Sequence, residues 1–358
     1  MQIHLVIAGL IWPGASAFSP VAGLELPALA RLLGAGQRRT TPFEPLDRQL
    51  ARAFDHPLPQ AKDGTLPLAA LRHMGESATA IAQRHGIWLC ADPVNLSFAR
   101  EHLLLNDFPI DELDDAEIGA LLDSLNENFG ELGHFEAGAG NRWYLQLGSS
   151  TSARFYPLHD VVGRPIKHFL PEGTDGRRWQ HHMNDIQVML HNHPVNQARE
   201  ARGQRTVNSL WFWGAGALPP VLHCPADAVQ TRDPLAAGFA RAAGIEPTPP
   251  DCSRALAGHT LVVLDTLLKP ALQLDLDGWR SGLETLERDW FAPLWATHRS
   301  GRLRRLTVTA PGDRDTLTLS LSDADRWKFW RRPLPFERVL QSLAPTATTP
   351  ESAAPSTP

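Results

Sequence analysis

The chain has 358 residues, 43% of them hydrophobic, which is enough to bury a substantial core, and the length favours about two domains. Its 34 basic and 39 acidic residues leave a net charge of −5, which removes any general attraction for nucleic acid or anionic lipid. Cys90, Cys224 and Cys252 stand far apart with no CxxC unit, a usage that fits a reducing cytoplasm better than a disulfide scaffold.

In chain order, "IHLVI" reads as a first buried strand. The stretch "MQIHLVIAGLIWPGASAF" resembles a secretory signal only superficially, because no Lys or Arg precedes the apolar run and Pro13-Gly14 interrupts it. No apolar run reaches the ~20 residues of a membrane span. "ELPALARLLGAG" and "ESATAIAQRH" have helical spacing and "GIWLCA" reads as a strand, so strands alternate with helices as in a parallel sheet covered by helices. The pattern then changes. "SFAREHLLL" alternates in period two, "DDAEIGALLDSLNENFG" is an amphipathic helix opened by Asp114 or Asp115, and "RWYLQLGSS" is another strand. A helix from about Arg177 should stop before Pro194, a short one over 195–202 should end at Gly203, and 207–213 reads as a buried strand. The sheet pattern resumes with "HTLVVLD" and "RRLTVTAP". The expectation is an α/β sheet domain from residues 1–91 and 197–340, an inserted α+β domain over 92–196, and a disordered tail over 341–358 rich in Pro, Thr, Ala and Ser.

Two polar stretches invite a chemical reading. "HHMNDIQVMLHNH" places His182 and Asp185 on one helix face with His191 and His193 following, but the spacing is weak for a metal site and no HExxH or nearby Cys supports it. "DRWKFWRRPLPF" mixes basic and aromatic residues as single-strand binders do. The acidic net charge opposes that, and the favoured expectation is that Trp327 and Trp330 plug a groove while Arg331 and Arg332 stack or pair nearby. The chain has no G-x-S-x-G, no GxxxxGK[ST], and no GxGxxG after a strand, so nothing announces a covalent catalyst.

The run "HPVNQAREARGQRTVNSLWFWGAG" resembles the segment of archaeal-type cofactor-independent phosphoglycerate mutases that reads His-Pro-Val-Asn, Arg, Gly, Asn and an apolar strand into Gly-x-Gly. "DPVNLSFAREHLLL" with "FPIDELDDAEIGALLDSLNENFG" resembles the start of that family's inserted domain, and "LELPALARLLGAGQR" the early helix of the alkaline phosphatase superfamily. Including its "FWRRPLP" ending, the chain looks most similar to RpfE-type regulatory proteins. The resemblance implies an alkaline-phosphatase-like central sheet with helices on both faces, an α+β insert closing over a phosphorylated acid, two metal ions, a Ser nucleophile, and dispersed Asp and His ligands.

The sequence departs from that pattern where the chemistry would sit. The first strand ends "IAGLIWPG" in place of an Asp-Gly. Leu46-Asp47 offers no hydroxyl where Ser-Asp would stand. Asp265 is followed by "TLLKPA" rather than x-x-Gly-His, and Thr309-Ala310-Pro311-Gly312 replaces Thr-Ala-Asp-His. Two divalent ions ~4 Å apart need several carboxylate and imidazole ligands to compensate charge and fill coordination. The preferred expectation is therefore a metal-free homologue without a cofactor, acting in the cytoplasm by regulation or ligand binding. An active phosphomutase with a rearranged site is the alternative, and a scaffold using its Trp-rich surface a third. A ligand, if bound, would be a small phosphorylated or carboxylated metabolite, met by Arg100, Arg142, Arg164, His193, Asn196, Arg199, Arg205 and Asn208, because the guanidinium fork suits such anions. Neither nucleic acid nor membrane is expected as a partner.

Overall fold

The computed structural model describes residues 1–14, 19–56, 66–77, 86–99, 101–109, 111–219, 222–328 and 330–343. The strands are β1 (Gln2–Ile7), β2 (Gln37–Pro42), β3 (Ile87–Ala99), β4 (His102–Asp107), β5 (Gly133–Ala137), β6 (Trp143–Leu147), β7 (Ser209–Gly216), β8 (Ala228–Gln230), β9 (His259–Leu264), β10 (Arg305–Pro311) and β11 (Asp315–Ser322). The class is mixed α/β, as the alternation of patterns implies. Among the described residues no helix is long and apolar enough to cross a membrane. The chain divides into two compact units, Met1–Pro45 with Pro250–Pro358, and Leu46–Pro249.

In the discontinuous unit the strands run β2–β11–β10–β1–β9, with β1 parallel to both β9 and β10, and β10–β11–β2 antiparallel. Period-two alternation sends Ile3, Leu5 and Ile7 into one core with Val262, Leu264, Leu306 and Val308. Leu29, Leu32, Trp279, Leu283, Phe291 and Leu294 of the covering helices fill that core. Each fully buried Leu or Phe there contributes about 1.5–3 kcal/mol. The Pro27–Ala35 helix starts at a favourable proline but has no side-chain cap of its own. Glu287 supplies one from far along the chain, accepting from Ala28 N at 2.6 Å and Leu29 N at 3.0 Å. Glu287 opens a π-helical turn, Glu287–Phe291, between the Leu276–Leu286 and Ala292–Arg299 helices.

In the contiguous unit, β3 is the organising strand. Its first half pairs with β6 and β7 and its second half with β4, while β5 lies outside β6. Trp213 of β7 faces Arg72 of the Leu68–Glu76 helix, and Phe212 packs on Trp179 of the Gly176–His191 helix at 5.2 Å, so helices cover both faces. The Asp115–Phe129 helix opens with a capping box: Asp114 accepts from Glu117 N, and Glu117 reaches back to Asp114 N.

Several sequence expectations need adjusting. "SFAREHLLL", which alternates in period two, is shared between two strands: β3 runs unbroken from Ile87 to Ala99, and Ala99 pairs with His102 of β4. The anticipated boundary between 91 and 92 thus falls inside β3, and that near 196 falls in the Pro194–Ala201 helix, whereas the compact units meet at 45/46 and 249/250. Extended pairing of β3 with β7 holds both flanks of the 92–196 segment within one sheet. The "ESATAIAQRH" helix beyond Ser77 and the tail from 344 lie outside the described residues. Trp327 and Trp330 do not plug a groove. Each is 66% exposed.

Candidate functional site

Ligands in open α/β sheets favour the carboxyl ends of parallel strands, and here β10, β1 and β9 end side by side. That crest is closed by backbone. Ala8 N bonds Leu264 O at 2.9 Å, and Gly9, at φ +77°, lies so near the next loop that a Cβ would sit 2.5 Å from the Leu267 carbonyl. Trp279 Nε1 donates to Gly9 O at 2.8 Å. After β9, Leu268 N bonds Asp265 O and turns the chain at once. After β10, Gly312 N bonds Asp315 O, and Asp313 Oδ2 accepts from Gly14 N at 2.9 Å. Among the described residues no group of three or more His, Cys, Asp or Glu could hold a metal ion. The two-metal centre that the resemblance implies does not fit these residues.

In the contiguous unit the Leu46–Ala53 helix carries Asp47 in its first turn, 9% exposed, with no hydrogen-bond partner for Oδ1. Burial raises the Asp47 carboxyl pKa, with nearby His159 opposing the shift and Asp160 adding to it. His159 stands edge-on to Trp213, 6.1 Å away. The group can hold or release a proton, but Leu46-Asp47 presents no hydroxyl for attack.

A buried ion pair that sequence reasoning missed lies in the same unit. Arg72 grips Asp92 through both carboxylate oxygens, at 2.8 and 2.7 Å, and donates to the Tyr144 hydroxyl at 3.0 Å. Trp213 Nε1 donates to Asp92 Oδ2 at 2.8 Å and Trp143 N to Oδ1 at 3.2 Å. Burial opposes the charge on Arg72, yet Asp92 keeps its pKa above the usual guanidinium value; burial also pushes the Tyr144 hydroxyl and Cys90 thiol well up. The network ties one helix to β3, β6 and β7. The only sequence signal was Asp92 in "CADPV", an acid inside an apolar strand.

The helix–turn–strand junction forms as the sequence indicates, but its polar groups bind the protein itself. The Gly176–His191 helix stops, Pro194–Ala201 follows, Gly203 takes φ +68°, and β7 begins at Ser209. His193 caps the short helix, its Nδ1 accepting from Val195 N at 3.2 Å, with Nε2 3.0 Å from Ser124 Oγ; burial lowers its pKa. Asn196, 3% exposed, donates to Leu190 O and Val207 O at 2.7 Å and accepts from Val207 N at 2.9 Å. Arg199, 1% exposed, bonds Arg205 O at 2.6 Å, Glu117 at 2.6 Å and Glu112 at 3.4 Å. Arg205 pairs with Glu112 and lies over the Phe108 ring. Asn208 mimics a strand residue, accepting from Leu96 N at 2.7 Å and donating to Leu96 O at 2.9 Å.

The structure brings His193, Asn196, Arg199 and Arg205 together, and Asn208 extends β7 against β3. It does not join the others to them. Arg142 pairs with Glu76, Arg164 is an exposed residue following the Leu158–Val161 turn, and Arg100 lies outside the described residues. The supposed metal face is a solvated one, with His181 rather than His182 approaching Asp185, at 3.6 Å.

Comparison with known proteins places a likeness on this central segment. The profile of the 2,3-bisphosphoglycerate-independent phosphoglycerate mutase family matches residues 91–196. A 2,3-bisphosphoglycerate-independent phosphoglycerate mutase 2 of Methanothermobacter thermautotrophicus is 32% identical over 131 residues, 35% of this chain and 31% of that protein. A mutase of Methanosarcina mazei is 32% identical over 141 residues, 37% of this chain and 35% of its own. The chain thus spans about a third of the length of the curated relatives it matches. A solved protein of Pyrococcus horikoshii shares the fold, with a TM-score of 0.55 at 13% identity over 94% of this chain and 91% of its own. Residues 91–196 are therefore related to the cofactor-independent phosphoglycerate mutases.

Proposed function

We propose that this chain is a non-catalytic homologue of cofactor-independent phosphoglycerate mutase, of the RpfE regulatory type, working in the cytoplasm through binding rather than phosphoryl transfer. The observation that carries the proposal is the backbone-closed crest. Where metal ligands would converge, Gly9 presses on Leu267, Asp265 is followed by an immediate turn, and Pro311-Gly312 carries no carboxylate. Asp47, at the start of the helix where a nucleophile would stand, has a carboxyl whose charged form burial disfavours. A small phosphorylated or carboxylated metabolite is the ligand class suggested by the relatives' names. The junction is a poor place for it, because Arg199 and Arg205 already meet Glu112 and Glu117. The test is turnover of 3-phosphoglycerate by protein purified without chelator and supplied with Mn2+, alongside elemental analysis. The expected result is neither turnover nor stoichiometric transition metal. Turnover accompanied by stoichiometric Mn or Zn would overturn the reading.

A further inference from the structure

We propose that the open edge of β2 takes an acidic, extended polypeptide segment as an added strand, with Trp327 and Trp330 as flanking anchors. The inference goes beyond the preceding reading and does not rest on the loss of catalysis. β2 ends the strand order of its sheet, and Gln37, Arg38, Arg39, Thr40 and Pro42 are exposed. Its bonding direction follows from the register. Pro42 faces Asp315 and Phe43 N donates to Arg314 O at 2.8 Å, so in the antiparallel alternation Thr41, Arg39 and Gln37 bond inward to β11. Arg38 and Thr40 then present N–H and C=O outward, where an added strand finds its main-chain bonds.

The indoles stand at the Gln37 end of that edge. Gln37 pairs with Ser320, β11 closes at Ser322, and the Asp323–Trp327 turn follows directly. Arg331 Nη1 binds Ala35 O at 2.5 Å and reaches Gly36 O at 3.4 Å, fastening the Trp330 segment beside the entry to β2. Two indoles, each 66% exposed, are the residue type that anchors protein interfaces.

Charge selects the partner. Arg326 is neutralised by Asp323 at 3.3 Å and Lys328 by Asp325 at 2.6 Å. Arg38, Arg39, Arg331 and Arg332 make no ion pair with any described carboxylate. A cationic rim on a chain of net charge −5 attracts an acidic segment, and it repels a second copy, whose own β2 would set arginine against arginine.

The test uses the full chain and a fluorescein-labelled synthetic peptide alternating Glu and Val, with a Lys–Val peptide and oligo-dT as controls. Anisotropy should show binding of the Glu–Val peptide alone, and hydrogen exchange should slow at the Arg38 and Thr40 amides. Thr40→Pro removes an outward donor without touching the β2–β11 ladder. It and the double variant Trp327→Ala/Trp330→Ala should each weaken binding at least about tenfold, or about 1.4 kcal/mol, at unchanged melting temperature. No peptide binding, oligo-dT or the Lys–Val peptide binding as well as the Glu–Val peptide, or unchanged amide exchange at saturation would each overturn the proposal. So would wild-type affinity in a folded Thr40→Pro protein. Should Thr40→Pro fail to fold, exchange in the wild type decides.

Discussion

At the junction between Leu190 and Asn208, both arginines singled out in the sequence meet carboxylates and both asparagines satisfy backbone. Around β2, four arginines meet no described carboxylate and two indoles face solvent. Arginine is common to both, and what separates them is whether carboxylates from elsewhere in the chain answer its charge. Cations answered by internal carboxylates contribute stability, whereas cations at a surface that no carboxylate answers can attract an acidic partner.

That contrast can be broken most forcefully at Arg199. Arg199→Ala leaves Glu112 and Glu117 without their buried cation and Arg205 O without its donor, so it should destabilise by about 3–5 kcal/mol in denaturant unfolding. If the melting temperature of Arg199→Ala matched the wild type, the junction would have to be regarded as a ligand surface after all.

His4 is half-buried on β1, in the same unit as the β2 rim. Burial, with His259 nearby, lowers its pKa from 6.5 to about 4, and its Nε2 lies 2.9 Å from Thr309 Oγ1. The unfolded state therefore binds the proton more readily. The contribution is fully present above pH 6.5 and is lost as pH falls towards 4, reaching about 3 kcal/mol. Denaturant midpoints across that window should fall with acid in the wild type and less steeply in His4→Gln; identical slopes would show that His4 does not titrate as buried.

The smallest effects separate the two regions most cleanly. Asn208→Ala should cost about 1–3 kcal/mol, because Leu96 N and O lose their partner. Arg332→Ala, at an exposed position, should change stability by less than about 0.5 kcal/mol. Thermal unfolding of the pair side by side measures the difference directly, and equal losses would erase the contrast between the two regions.

The sequence made local devices visible: the proline after the helix, the Gly203 turn and the opening of a helix at Asp114 or Asp115 all obey short-range rules, and the structure puts the cap at Asp114. It could not show that Arg199 is answered by Glu112 and Glu117, more than eighty residues earlier, because nothing in "QAREARG" encodes them. For the same reason nothing local pairs Arg72 with Asp92, twenty residues later, whose contact needs a helix and β3 to be brought together. "QRRTTP" has no alternation to betray a strand, since an edge strand with little buried side chain needs none. The tryptophans of "DRWKFWRRPLPF" are expected in a groove because apolar residues are usually covered, whereas Trp327 and Trp330 are both largely exposed.

The cap that Glu287 places on the Pro27–Ala35 helix has a consequence for synthesis on the ribosome. The donor nitrogens at Ala28 and Leu29 precede their acceptor by 259 and 258 residues, and β1 must likewise wait for β9 and β10. At typical elongation rates that interval lasts roughly ten seconds to a minute. The second sheet, contained wholly within Leu46–Pro249, emerges complete in the meantime. The nascent chain therefore carries an unpaired "IHLVI" and an uncapped Pro27–Ala35 helix until the residues that complete them have been made.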